Sequence, residues 1–322
     1  MSLPAALETR LRLPLIAAPM FLVSGPALVK AACRAGVIGS FPTANCRTVE
    51  ELDRWLADMG DDLKRAADET GHAPAPLCPN LIVHRSNTRV PDDLAAVLRH
   101  KAEMVITSVG SPEPVLKPLK DSGCLVLADV ASVRHAEKAV AAGVDGLVLL
   151  TAGAGGQTGW VNPFAFVRAV RKFWDGIVVM AGGMADGQAI AAAETLGCDL
   201  AYMCTKFIAT RESLAKDAYQ EMLVKSRLDD VLLTKAFTGL ETNMLRPSIA
   251  AAGLDPDNLP VRGAIDISKD INASERDKPD AKRWKDIWSA GHSVSGVADV
   301  PSVAELIERT KAEYDAASVQ RV

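Results

Sequence analysis

The sequence predicts a (β/α)8 TIM barrel, an α/β fold, on three observations. Short apolar runs recur through the first two thirds of the chain, each is followed by a segment of helical period, and glycines mark the joints where a helix returns to a strand. There are about eight such runs, the number a closed barrel needs. Alternating strand and helix leave only a barrel or an open doubly wound sheet, and the count selects the barrel.

The runs are LIAA (15–18), VIGS (37–40), LCPNLIV (77–83), MVITSV (104–109), LVLAD (125–129), LVLL (147–150), IVVMA (177–181) and LAYMC (200–204). None alternates with polar residues, as expected where helices cover one face of a sheet and packed side chains fill the other. Helices are expected at 26–35, 48–70, 92–100, 112–122, 133–142, 163–174, 186–196 and 213–228. The joints RAGVIGS, DSGCLVLAD, AAGVDGLVLL and TLGCDLAYMC place Gly36, Gly123, Gly143 and Gly197 where a helix ends in a left-handed residue.

The rhythm stops near residue 229, so residues 1–229 are assigned to the barrel. Residues 230–300 contain no further strand–helix unit and are expected beside the barrel or over its mouth, anchored by Trp284 and Trp288. Residues 301–322 carry a final helix, expected over 301–317.

The 322 residues are 48% hydrophobic and 24% charged with a net charge of −4, which suits a soluble enzyme and gives nucleic acid or an anionic membrane nothing to bind. No apolar stretch reaches the roughly 18 residues of a membrane span, and MSLPAALETRLRLP is not signal-like, so a cytoplasmic protein is expected. Six scattered cysteines show no zinc spacing; they are expected to be reduced and buried, and no metal is implied. Homodimerisation is compatible with the sequence, which does not specify it.

In a barrel the chemistry sits at the carboxyl ends of the strands. That selects APM (18–20), Asn80, Asp129, TAGAGGQTG (151–159), AGGMADG (181–187) and CTKF (204–207). Gly182 and Gly183 leave backbone amides open to an anion, Asp186 is placed to cap the next helix, and Thr205 adds a hydroxyl one strand further on. Together they point to a phosphate-bearing ligand. There is no GxGxxG fingerprint or P-loop lysine motif. Flavin mononucleotide suits a barrel better than a dinucleotide does, but a flavin-free isomerase or lyase acting on a phosphorylated metabolite fits the same residues.

APM, CPNLIV, AGGQTG, AGGMADG, AYMCTKFIATRE, TNMLRPSI and KDIWSAG together resemble the nitronate monooxygenase family, formerly the 2-nitropropane dioxygenases, which includes related enoyl and quinone reductases. The resemblance implies an FMN-dependent barrel with an inserted substrate-side segment. Ala18, Pro19 and Met20 would line the flavin and Asn80 would hydrogen-bond it. Gly182, Gly183, Cys204 and Thr205 would hold its phosphate. Asp129, Gly155, Gly156, Gln157 and Met203 complete the expected cofactor contacts. The glycines of TAGAGGQTGW are expected to let the chain turn tightly against the flat ring.

Three departures bear on chemistry. Gln157 stands where many members carry histidine, Asp129 where some carry lysine, and Cys204 where glycine is usual. Glutamine cannot take a proton near neutral pH, so the enzyme is expected to prefer an anionic nitronate, which needs no base, over a neutral nitroalkane. Gln157 remains a catalytic candidate as an orienting amide, and His292 in SAGHSVSG is the candidate replacement base. Asp129 is expected to bond a neighbouring amide or basic side chain, because a bare carboxylate there would be costly. Lys206 is expected to meet phosphate or a surface acid, Arg246 a structural acid, and His84 to lie near the mouth. The expected activity is oxidation of alkyl nitronates with O2. The alternative is an NAD(P)H-dependent ene- or quinone reductase, with an enoyl thioester among its conceivable substrates.

Overall fold

In the computed structural model, which describes residues 3–259 and 287–319, eight parallel strands close into a barrel. They are β1 (Leu15–Ala17), β2 (Ile38–Pro42), β3 (Leu77–Ile82), β4 (Met104–Ser108), β5 (Leu125–Val130), β6 (Gly146–Leu150), β8 (Ile177–Ala181) and β9 (Leu200–Met203). β9 pairs back onto β1, Ile16 opposite Tyr202. Each of the eight apolar runs therefore forms a barrel strand. The two-residue β7 (Gly156–Gln157) lies outside the barrel.

A helix follows each of the first seven barrel strands: α2 (Pro26–Arg34), α3 (Val49–Thr70), α4 (Val90–Arg99), α5 (Glu113–Asp121), α6 (Val133–Ala142), α7 (Pro163–Val170) and α8 (Gly187–Leu196). The starts of α3, α6, α7 and α8 are capped by side chains that accept otherwise unpaired backbone N–H groups. Thr48 accepts from Glu51 at 3.2 Å and Asp186 from Ala189 at 2.8 Å. At the opposite joints Gly36, Gly123, Gly143 and Gly197 are all left-handed, as expected. Two helices are shorter than expected: α7 ends at Val170, where turn bonds take over, and α10 spans Asp217–Lys225 after the one-turn α9 (Thr205–Ile208).

Successive strand residues face opposite sides of the sheet. Ile106, Leu127, Val148 and Val179 fill the barrel, while their neighbours Val105, Val126, Leu147 and Val178 pack outward with helix residues such as Leu28 and Phe166. Each such burial contributes about 1.5–3 kcal/mol. A buried ion pair fixes the lower end of β8: Asp199 accepts from Arg171 at 2.6 Å and from the Val178 amide at 2.8 Å.

Beyond the barrel, β10 (Val231–Thr234) and β11 (Thr242–Leu245) form an antiparallel sheet in the order β10-β11-β7, with Thr242 opposite Gln157. The short helix α11 (Arg246–Ala251) follows. Ser289 bridges to Met244, and a 3-10 turn spans His292–Gly296. Trp288 stacks on Tyr219, ring centroids 5.0 Å apart; Trp284 lies outside the described residues. The last helix, Val303–Val319, packs on α8, and Tyr314 donates to Glu194 at 2.8 Å. Among the described residues no helix is long and apolar enough to cross a membrane.

Candidate active site

Carrying the inward alternation to the carboxyl ends of the strands brings one residue from each to a common floor: Ala18, Pro42, Asn80, Ser108, Asp129, Leu150, Ala181 and Tyr202. All eight line a single cavity of about 310 Å³. Its walls come from the loops after β1, β6 and β8, and its roof includes Leu214, Tyr219, Leu240, Ile287 and Trp288.

Asn45 organises the loop after β1, a role the sequence did not disclose. Its amide donates to the carbonyls of Met20 and Ser24 at 3.0 and 2.8 Å and accepts from Leu22 N–H at 2.9 Å. These bonds hold Leu22 at φ 59° on the cavity wall, an unfavourable conformation for a branched residue that surrounding contacts must enforce. Pro19 and Met20 are thereby presented to the cavity.

After β8, Gly182 has φ 118°, and a Cβ there would stand 2.4 Å from Thr151 Oγ1. Gly183 has φ 74° and nothing within 4 Å, so a side chain would project into open space. The backbone N–H groups of Gly182, Gly183, Cys204 and Thr205 find no acceptor among the described residues. These donors sit on the ends of neighbouring strands and line the same cavity, an arrangement that suits an anion. Burial pushes the Cys204 thiol up to about 12, so it stays neutral beside such a ligand. Thr205 Oγ1 is already engaged, accepting Gly291 N–H at 3.0 Å.

On the floor, Asn80 donates to Ser108 Oγ at 3.1 Å and to the Ile106 carbonyl at 3.2 Å, so its amide is oriented from β4. The expected partner of Asp129 is missing: its Oδ1 is buried with no hydrogen bond. Burial alone raises its carboxyl from 3.8 to about 7. Tyr202 is held neutral, first by burial and then by Asp129.

Several expectations need correction. His292 is exposed and does not line the cavity. Its N–H donates to the Gly153 carbonyl at 2.9 Å and its ring packs over Gly153, while Ser293 faces the cavity instead. Burial lowers its pKa. Met203 is fully buried on the outer side of β9, because inward parity belongs to Tyr202. Lys206 donates to the Gly296 carbonyl at 2.7 Å and pairs with no acid among the described residues. The room left by Gly153 and Gly155 is taken by the chain's own His292 and Gly291. His84 bonds Ser86 at 2.8 Å away from the cavity wall, and Arg246 pairs with Asp257 at 2.7 Å as expected. Gly155, Gly156 and Gln157 do line the cavity. Ser108 and Tyr202 were legible by parity from Asn80 and Cys204.

A (β/α)8 barrel with a ligand-sized cavity on its carboxyl face, a rim of free amides and a floor of sparse polar groups is built as an enzyme. The chain matches the nitronate monooxygenase family over residues 6–313 and belongs to it; it is an oxidoreductase of that type. The nitronate monooxygenase of Paraburkholderia phytofirmans is 29% identical over 343 residues, spanning 93% of this chain and 92% of that one. A (3aS,4S,5R,7aS)-5-hydroxy-7a-methyl-1-oxo-octahydro-1H-indene-4-carboxyl-CoA dehydrogenase of Rhodococcus jostii is 24% identical over 286 residues, spanning 89% and 76%. FabK from Thermotoga maritima shares the fold, with a TM-score of 0.78 at 23% identity over 98% of this chain and 96% of that one.

Proposed function

We propose that the protein is an FMN-dependent nitronate monooxygenase that oxidises alkyl nitronates with O2. The observation that carries the reading is the set of four unpaired amides at Gly182, Gly183, Cys204 and Thr205, beside a cavity of about 310 Å³. These amides would hold the phosphate of FMN, with Ala18, Pro19 and Met20 along the ring and Asn80 offering its carbonyl. FMN, when bound, supplies the electron-accepting chemistry. Family membership and the Paraburkholderia relative support the same reading.

The protein's own task is to position and to exclude water. Gln157 lines the cavity, and its amide, with two donors, would suit the oxygens of a nitro group. Leu214, Leu240, Ile287 and Trp288 make the upper wall apolar, so an alkyl chain is accommodated and solvent is displaced. A nitronate arrives already deprotonated and asks no base of Gln157.

The test is oxygen uptake by the FMN-loaded protein with propane-2-nitronate and no NAD(P)H, preceded by a visible spectrum. Flavin absorbance and oxygen uptake are expected. A protein that stays colourless after FMN is added would sink the reading. The apolar wall and the Rhodococcus relative favour a second reading, an NAD(P)H-dependent reductase of enones, quinones or an acyl thioester. Anaerobic bleaching by NADH or NADPH, and not by nitronate, would establish it.

A further inference from the structure

We propose that Asp129 is the base of this cavity: its carboxylate removes the α-proton of a neutral nitroalkane, giving the enzyme a second substrate class beside preformed nitronates. The inference rests on the nitro-compound reading of the site. It reverses the expectation drawn from Gln157, since the missing histidine's task is moved to another wall.

Among the described residues that line the cavity, Asp129 is the sole carboxylate and there is no histidine or arginine. On the adjoining strands it is flanked by Ser108, whose hydroxyl is paired with Asn80, and by apolar Leu150. Across the floor stand Tyr202 and Cys204, with Cys78 below; burial keeps all three protonated. Lys216, on the roof, is not among the groups acting on Asp129. A carboxylate bonded to an arginine or to amides is too weak a base to matter. One left unpaired in a desolvated site is more basic, and with its pKa raised to about 7 it is matched to neutral pH.

In the step, an Asp129 oxygen takes the proton from the carbon bearing the nitro group. The C–H electron pair becomes the C=N bond, and the N=O electrons move to oxygen, giving the nitronate anion. Negative charge passes from the carboxylate to the nitro oxygens, so the buried site holds one charge throughout and no oxidant is needed. Gln157 and the neutral Tyr202 hydroxyl are donors on the same cavity for the oxygens that gain charge.

Proton exchange tests this without flavin. Flavin-free protein is mixed with nitroethane in D2O and loss of the α-proton signal is followed by NMR against buffer. Exchange above the buffer rate is expected, rising with pH through about 7 and then levelling. Asp129→Asn, its fold checked by circular dichroism, should lower the protein-dependent rate by about 10²–10⁴-fold. In the FMN-loaded enzyme the ratio of nitroethane to ethylnitronate turnover should fall likewise. Wild-type exchange no faster than buffer, a pH-independent rate, or full exchange in Asp129→Asn would each overturn the proposal. Nitronate oxidation without exchange removes the base and leaves the monooxygenase; exchange without nitronate oxidation does the opposite.

Discussion

Holding Asp129 unpaired should weaken the folded protein, and Asp129→Asn should restore what is lost. The folded carboxyl binds its proton more tightly than the unfolded one, with its value raised from 3.8 to about 7. The wild type is therefore undisturbed below pH 3.8, loses stability progressively as pH rises from 3.8 to about 7, and loses no more above that. At about 1.4 kcal/mol for each tenfold change in proton affinity, the full loss is about 4 kcal/mol. Solvent reaching the open side of the cavity screens the charge, and we expect about 2 kcal/mol. Unfolding entropy of about 2.1 cal/mol/K per residue converts this to a gain of about 3 °C in Tm. Thermal unfolding of flavin-free wild type and Asp129→Asn should give curves that coincide near about pH 4 and separate by this amount near about pH 8. A difference that is constant with pH, or that shrinks as pH rises, would refute the uncompensated charge.

Other substitutions probe the rim and the frame. Gly182→Ala would force a Cβ to 2.4 Å from Thr151 Oγ1 at φ 118°, a strain of about 1–3 kcal/mol; FMN affinity measured by fluorescence titration should drop about tenfold or more. An unchanged Kd would remove Gly182 from the anion site. His292→Ala should leave the rate of flavin reduction in stopped-flow within about twofold, because the bond to Gly153 is made by its backbone. A large loss would restore the histidine as a participant. Asp199→Ala leaves Arg171 without its partner across the 2.6 Å bond; it should cost about 3–5 kcal/mol, read from the urea midpoint.

The barrel was legible because its signals are local: an apolar run, a helical period and a left-handed glycine each declare themselves within a few residues. The left-handed glycines after β8, Gly182 and Gly183, were legible for the same reason. What failed depended on partners far along the chain. Lys206 meets Gly296 and Gly153 meets His292, neither of which a strand-end motif discloses. Asp129 was misjudged because its environment is set by Ser108 and Leu150 on adjoining strands, neither of which supplies the expected partner. Met203 was misplaced by one residue of parity, enough to turn a side chain from the cavity to the helical layer.

The roof is fastened by bonds of long sequence separation, Gly291 N–H to Thr205 across 86 residues and Tyr219 to the Ser289 carbonyl across 70. During synthesis the barrel strands emerge well before residues 287–296 and can close first. The binding site is thus finished last, after the scaffold that carries it. A ligand that engages the rim and the roof together then adds its binding free energy to that last closure by mass action.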